Sequence, residues 1–128
     1  MNLLLDLHIF LWLANEPHRL SPSTMAALRA PGNRRYLSIV SVWELQIKVS
    51  SGKLTLPTSV QHFVATYRSA NSIYPLSISE SHIWALATLP FHHRDPFDRI
   101  LIAQAITEGW TLVTADALFV DYPVQLLR

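Results

Sequence analysis

Four of the nine acidic residues occur beside apolar runs, where a solvated surface charge is not expected. They end, interrupt, precede or follow runs rich in Leu, Ile and Val: Asp6, Glu44, Asp98 and Asp116. Carboxylates are rarely buried without a partner, and two of them about 4 Å apart repel by roughly 4 kcal/mol at an effective dielectric constant of about 20. If the fold brings these four side chains together, they require a cation.

The composition restricts the identity of that cation. The chain contains no cysteine, which excludes a disulfide framework, a zinc–thiolate site and thiol catalysis. Oxygen ligands favour Mg²⁺ or Mn²⁺, and Mg²⁺ bound by one or two carboxylates keeps water molecules and accepts phosphate oxygens from a substrate. Such an ion acidifies a water, directs it at phosphorus and neutralises the leaving oxygen. These residue types therefore favour phosphodiester hydrolysis that depends on Mg²⁺, with Mn²⁺ as a substitute.

Apolar runs and amphipathic segments predict the elements that must position the acids. Strands are predicted at 2–5, 36–40, 73–76, 110–113 and 124–127, and helices at 7–14, 22–30, 41–50, 57–68, 79–89 and 95–108, with a helical turn at 115–119. Strands separated by helices imply right-handed crossovers and a sheet covered on both faces. The predicted fold class is α/β, with three α/β/α layers, a central, mostly parallel sheet of four to five strands, and one domain over residues 1–128.

This arrangement places the four acids at one rim of the sheet. Asp6 and Asp116 follow strands, and Glu44 and Asp98 are expected in the first turns of helices. In open α/β sheets, ligands bind outside the carboxyl ends of the strands. The joint placement therefore favours a functional site.

Each acid also has a structural explanation as part of a helix cap. Asp6 and Asp116 suit N-cap positions, and Ser41 with Glu44 fits a capping box. Asp95 precedes a proline at the first helical position, so it is assigned mainly to capping. Capping and metal binding are compatible, because a carboxylate has two oxygens.

The residues in this order resemble the PIN-domain family, and in particular its VapC-type toxins, the ribonucleases of type II toxin–antitoxin systems. The matching pieces cover nearly the whole chain: 5–12, 38–48 with 52–54, 89–99 continuing into 102–105, and 112–116. The resemblance implies a PIN-like fold and an Mg²⁺ site. Its expected metal ligands and catalytic residues are Asp6, Glu44, Asp98 and Asp116, and its supporting residues are Thr114 and Asp95.

Two positions depart from or complicate the family pattern. Members often have Asp-Thr-His where this chain has Asp6-Leu7-His8, so a hydroxyl group is missing. In the segment Asp95-Pro96-Phe97-Asp98 either acid is a candidate ligand. Asp98 is preferred because it lies one turn before the apolar part of its helix.

The resemblance further implies RNA as the substrate, a homodimer, and an antitoxin protein that blocks the site and makes any contact with DNA. A cytoplasmic protein without a membrane segment is expected. Because the net charge is only +1, phosphate binding must be local. The candidate RNA-binding residues are Lys48, Lys53, Arg94, Arg99 and His93. Lys48 alternatively forms an ion pair with Glu44 one turn earlier.

Other residues have less specific expectations. The adjacent His92 and His93 lack the helical spacing that chelates a metal, so backbone hydrogen bonding or RNA contact is favoured. Trp12, Trp43 and Trp84 are expected to be core or dimer-interface residues rather than stacking platforms. The two alternatives to a nuclease are a receiver-like phosphoacceptor domain and a PIN-like binding module that the Leu7 departure has weakened.

Overall fold

A five-stranded parallel sheet forms the centre of the protein. In the computed structural model, which describes residues 1–92 and 95–128, the strands are β1 (Asn2–Leu5), β2 (Arg34–Ser38), β3 (Ile73–Leu76), β4 (Thr111–Val113) and β5 (Leu126–Leu127). Their order is β3-β2-β1-β4-β5, and every neighbouring pair is parallel. The predicted α/β class with a central parallel sheet is confirmed.

Helices cover both faces of this sheet. They are α1 (Leu7–Asn15), α2 (Pro22–Arg29), α3 (Ile39–Ser50), α4 (Val60–Ala70), α5 (Glu80–Ala85) and α6 (Pro96–Glu108), with short 3-10 helices at Pro17–Arg19, Leu86–Thr88 and Ala117–Asp121. Along β1, Leu3 and Leu5 pack into one apolar cluster and Leu4 into the other. The three leucines of β1 are therefore fully buried, because both faces of the strand are covered here.

The start of α3 differs from the prediction of a strand over 36–40 and a helix capped by Ser41. The helix begins at Ile39, and Ser38 is its N-cap, whose hydroxyl accepts from the Val40 amide at 3.1 Å. Both serines suit an N-cap, but Ser41 lies inside α3, where it is buried. Consequently Glu44 lies in the second turn of α3 rather than the first, and the predicted capping box does not form. The predicted helix over 79–89 is also divided, because α5 ends at Ala85 and continues as a 3-10 helix.

Of the three tryptophans expected in the core or at a dimer interface, two are at the surface and so are not core residues. Trp43 is 61% exposed and Trp84 is 65% exposed, whereas Trp12 is partly buried at the edge of the first apolar cluster. Trp43 contacts Phe97 edge-on, with ring centroids 5.2 Å apart, where α3 meets α6. Across the described part of the chain, no helix is long and apolar enough to cross a bilayer.

Strand order decides which acids meet. Strand β1 lies between β2 and β4, and Leu5 pairs with Val113, so Asp6 and the residues after β4 leave the sheet side by side. In receiver-like domains β1 lies instead between β2 and β3. The topology therefore excludes the receiver-like alternative.

Candidate active site

Asp6 is the most enclosed acid of the candidate site. Its side chain begins α1, because Oδ1 accepts from the Ile9 amide at 2.9 Å, and Oδ2 accepts from the Thr114 hydroxyl at 2.5 Å. Burial raises the pKa of Asp6 and nearby Asp116 raises it further, while the bonds from Thr114 and Ile9 and the charge of His8 act in the opposite direction. Deprotonated Asp6 therefore depends on positive or hydrogen-bonding neighbours.

Thr114 connects the two acids that follow strands. Its Oγ1 donates to Asp6 and accepts from the backbone amide of Asp116 at 3.0 Å. The Asp116 side chain begins the 3-10 helix Ala117–Asp121 by accepting from the Leu118 amide at 2.9 Å. The buried hydroxyl of Thr114 therefore fixes the relative position of Asp6 and Asp116.

Glu44 reaches the same rim from α3. It is buried, and its Oε2 lies 3.0 Å from Nζ of Lys48, one helical turn later and partly exposed. The expected ion pair between these residues is confirmed. This pair neutralises one of the carboxylates at the rim and places an ammonium group at its edge.

Asp98 comes from the first turn of α6, directly after the cap that Asp95 provides. Oδ1 of Asp95 accepts from the amides of Phe97 at 2.8 Å and Asp98 at 3.4 Å, so its expected capping role is confirmed. Burial raises the pKa of Asp98 to about 7, assisted by the charges of Asp95, Glu44, Asp116 and Asp6, in that order. All four other acids are therefore close enough to oppose its ionisation.

One small cavity collects these side chains. It measures about 90 Å³, and its acidic lining consists of Asp6, Glu44, Asp95, Asp98 and Asp116. Within residues 1–92 and 95–128, no three carboxylate or imidazole groups form a preassembled metal cage. Mg²⁺ commonly takes only one or two carboxylates and completes its shell with water. The carboxylate oxygens that dominate the lining, and the raised pKa values of Asp6 and Asp98, therefore fit a hydrated divalent ion.

Comparison with known proteins assigns the chain to a family. The family model of the PIN domain matches residues 3–124. The chain belongs to the PIN-domain family. It is 32% identical over 116 residues to Ribonuclease VapC22 of Mycobacterium tuberculosis, an alignment that covers 88% of this chain and 85% of that protein.

Solved structures confirm the fold of this PIN domain. VapBC2 from Rickettsia felis bound to a DNA fragment from its promoter gives a TM-score of 0.77 at 22% identity, with 99% of this chain and 98% of that chain covered. VapBC-1 from nontypeable Haemophilus influenzae gives 0.66 at 16% identity, with 99% and 97% covered. These likenesses concern the architecture, which is the PIN-like three-layer fold expected from the sequence.

The basic residues expected to bind RNA occupy different environments in this PIN domain. Arg99 is buried, and its guanidinium donates to the carbonyls of Pro90 at 2.8 Å and Leu89 at 3.4 Å and lies 3.9 Å from the ring centroid of Phe91. Arg99 therefore anchors the segment before α6, and the RNA contact expected for it stays a prediction. Lys53 is exposed, whereas His93 and Arg94 lie outside the described residues.

His8 is a residue of the rim that the sequence analysis did not single out. It lines the acidic cavity and its charge lowers the pKa of Asp6. Its position two residues after Asp6, in the first turn of α1, could have indicated from the sequence that it lies at this rim. Leu7, in contrast, is buried in the apolar cluster beneath the cavity.

Proposed function

We propose that this PIN domain is an Mg²⁺-dependent endoribonuclease, with Mn²⁺ as a substitute, and the toxin component of a type II toxin–antitoxin pair. The observation that carries the proposal is the convergence of Asp6, Glu44, Asp98 and Asp116 on one cavity from four separate parts of the chain. The similarity to a protein named as a ribonuclease supports RNA as the substrate.

The four carboxylates are the groups that would hold the ion. A bound divalent cation supplies Lewis acidity toward the phosphate and a more acidic water for hydrolysis. The chain itself orients the ligands, because Thr114 holds Asp6 through Oδ2 and the α1 backbone holds it through Oδ1. Burial and mutual repulsion raise the pKa values of Asp6 and Asp98, so cation binding and proton release are coupled here.

The missing hydroxyl at position 7 does not leave Asp6 without support. Leu7 packs into the apolar core, and the Thr114 hydroxyl makes the side-chain bond to Asp6. This contact favours an active enzyme over the alternative of a weakened PIN-fold binding module.

The partners belong to the same proposal. Several similar structures are described as toxin–antitoxin complexes, and one contains promoter DNA. We therefore infer that an antitoxin protein covers the acidic cavity and supplies any contact with DNA. We also infer a homodimer that acts on RNA in the cytoplasm.

Cleavage of an unstructured RNA oligonucleotide tests the proposal. The wild type should cut it with Mg²⁺ or Mn²⁺ and not with EDTA. Asp98→Asn and Asp116→Asn should each lower the cleavage rate by more than about 100-fold. Mutation of residues that only orient metal ligands already lowers metal affinity or activity by about 10–100-fold. Glu80→Gln is the matched control, since Glu80 is exposed on α5 and does not line the cavity. Undiminished cleavage by both Asn variants, or metal-independent cleavage, contradicts the assignment.

A further inference from the structure

The acidic cavity is too small to accommodate a nucleotide. Its volume is about 90 Å³, whereas pockets that enclose small organic ligands measure roughly 300–1,000 Å³. It accommodates an ion, water molecules and the edge of one phosphate group. The base and ribose of a bound RNA must therefore lie elsewhere on the protein.

A larger cleft begins at the rim of the acidic cavity. It measures about 480 Å³ and extends between α1 and the segment 53–56, and we refer to it as the α1 cleft. His8 and Lys48 line both the acidic cavity and the α1 cleft. A chain whose phosphate entered the cavity would thus have its adjoining nucleoside at this opening.

An aromatic ring and a guanidinium group form one side of the α1 cleft. The Arg19 guanidinium carbon lies 4.3 Å from the centroid of the Trp12 ring, and Arg19 also donates to Glu16 at 3.3 Å. The His8 ring lies at a tilt of 55° to Trp12, with centroids 6.2 Å apart. Nucleobases in single strands stack on such aromatic and guanidinium planes.

The polar groups of the α1 cleft also match a nucleotide. Asn15 ends α1 and is exposed, and its side-chain amide has both a donor and an acceptor for hydrogen bonds with a base edge. Lys53 lies on the opposite wall, and its ammonium has no ion-pair partner within the described ranges 1–92 and 95–128. Arg19 and Lys48 also line the cleft but are paired with Glu16 and Glu44, so the charge that favours a phosphate here is that of Lys53.

We propose that the α1 cleft binds the base of a single-stranded ribonucleotide next to the bond that is cut, with Trp12 as the stacking surface. The proposal rests on the proposed ribonuclease function and adds a subsite to it. It also changes the expectation for Trp12 from a core or dimer-interface residue to a stacking residue. The occupant is RNA rather than an antitoxin segment, because a stacking ring, an amide and unpaired positive charge correspond to base and phosphate.

A binding measurement without catalysis tests the subsite. Fluorescein-labelled hexauridylate and an abasic ribose-phosphate chain of the same length are titrated with full-length protein in EDTA, by fluorescence anisotropy. The two probes carry the same backbone charge and differ only in their bases. Wild type should bind hexauridylate about tenfold more tightly, since stacking on one aromatic residue is worth roughly 1–3 kcal/mol. Trp12→Leu should bind both probes equally.

Two further variants make the result specific. Trp12→Phe retains a ring and should retain a preference for hexauridylate, whereas Trp84→Leu removes an exposed tryptophan outside the α1 cleft and should behave as wild type. Equal binding of both probes by the wild type overturns the subsite, as does a preference that survives Trp12→Leu. Loss of antitoxin binding in Trp12→Leu with unchanged probe preference also overturns it. Because no cleavage is needed, a failed nuclease assay and a failed base preference are separate outcomes.

Discussion

The raised pKa of Asp98 should make the free energy of unfolding depend on pH. Burial and four neighbouring acids raise its pKa from 3.8 to about 7 in the metal-free protein. A group whose pKa is raised on folding contributes its full stability below the pKa of the unfolded state, and this contribution is lost as the pH rises through the folded-state pKa. Metal-free protein should therefore lose stability between about pH 4 and pH 7.

The magnitude follows from the two pKa values. The difference between 3.8 and about 7 corresponds to roughly 4 kcal/mol of unfolding free energy. Asp98 is partly exposed, so solvent screening reduces this to about 2 kcal/mol. We predict that Asp98→Asn, which removes the charge, stabilises the metal-free protein by about 2 kcal/mol at pH 8. This equals a rise in Tm of roughly 6–10 °C, and the gain should fall below about 1 kcal/mol at pH 5.

Thermal and urea unfolding in EDTA at pH 5 and pH 8 provide the assay, followed by circular dichroism. Glu80→Gln is the matched control, because it removes an exposed charge from the first turn of α5. It should lower the free energy of unfolding by a few tenths of a kcal/mol at both pH values. An Asn variant no more stable than wild type at pH 8 would refute the reasoning. A gain that is equal at both pH values would show that ionisation of Asp98 is not its source.

Three further predictions concern other contacts of the site. Millimolar Mg²⁺ should raise the Tm of the wild type more than that of Asp116→Asn, and an equal shift by calorimetry argues against Asp116 as a ligand. Thr114→Val should lower the free energy of unfolding by about 1–3 kcal/mol and reduce cleavage, because Asp6 loses its hydroxyl partner. The control Thr111→Val loses a hydrogen bond to Gln125 and should leave cleavage intact. Arg99→Ala should lower stability by about 2–3 kcal/mol through loss of its carbonyl contacts, and unchanged urea unfolding would contradict its anchoring role.

The sequence predicted those parts of the fold whose signals are local. Three consecutive leucines ending at Asp6 indicated a strand buried on both faces, and Asp95 before a proline marked the start of α6. The end of α6 was equally clear, because Gly109 adopts a left-handed conformation with φ of 70°. Each of these features depends on the residue and its immediate neighbours.

Features that depend on tertiary packing were harder to predict from the sequence. Ser38 and Ser41 are both competent caps, and Ser41 is instead enclosed within α3 with its hydroxyl unpartnered among the described residues. Arg99 looked like a rim cation because the sequence cannot show that two carbonyls and a ring surround it. Trp12 was indistinguishable from a core residue until α1 and the segment 53–56 were seen to leave a cleft beside it.

The helix caps and the candidate site use the same side chains, and this coincidence has a physical basis. Asp6 and Asp116 each accept a backbone amide at the start of a helix, where the unpaired amides and the helix dipole favour negative charge. The caps thus orient the carboxylates that would bind the ion. Asn caps a helix about as well as Asp but carries no charge, whereas Ala forfeits about 1 kcal/mol of cap stability. Asn substitutions therefore separate the charge from the cap, and a loss of cleavage without a loss of folding identifies the charge as the functional property.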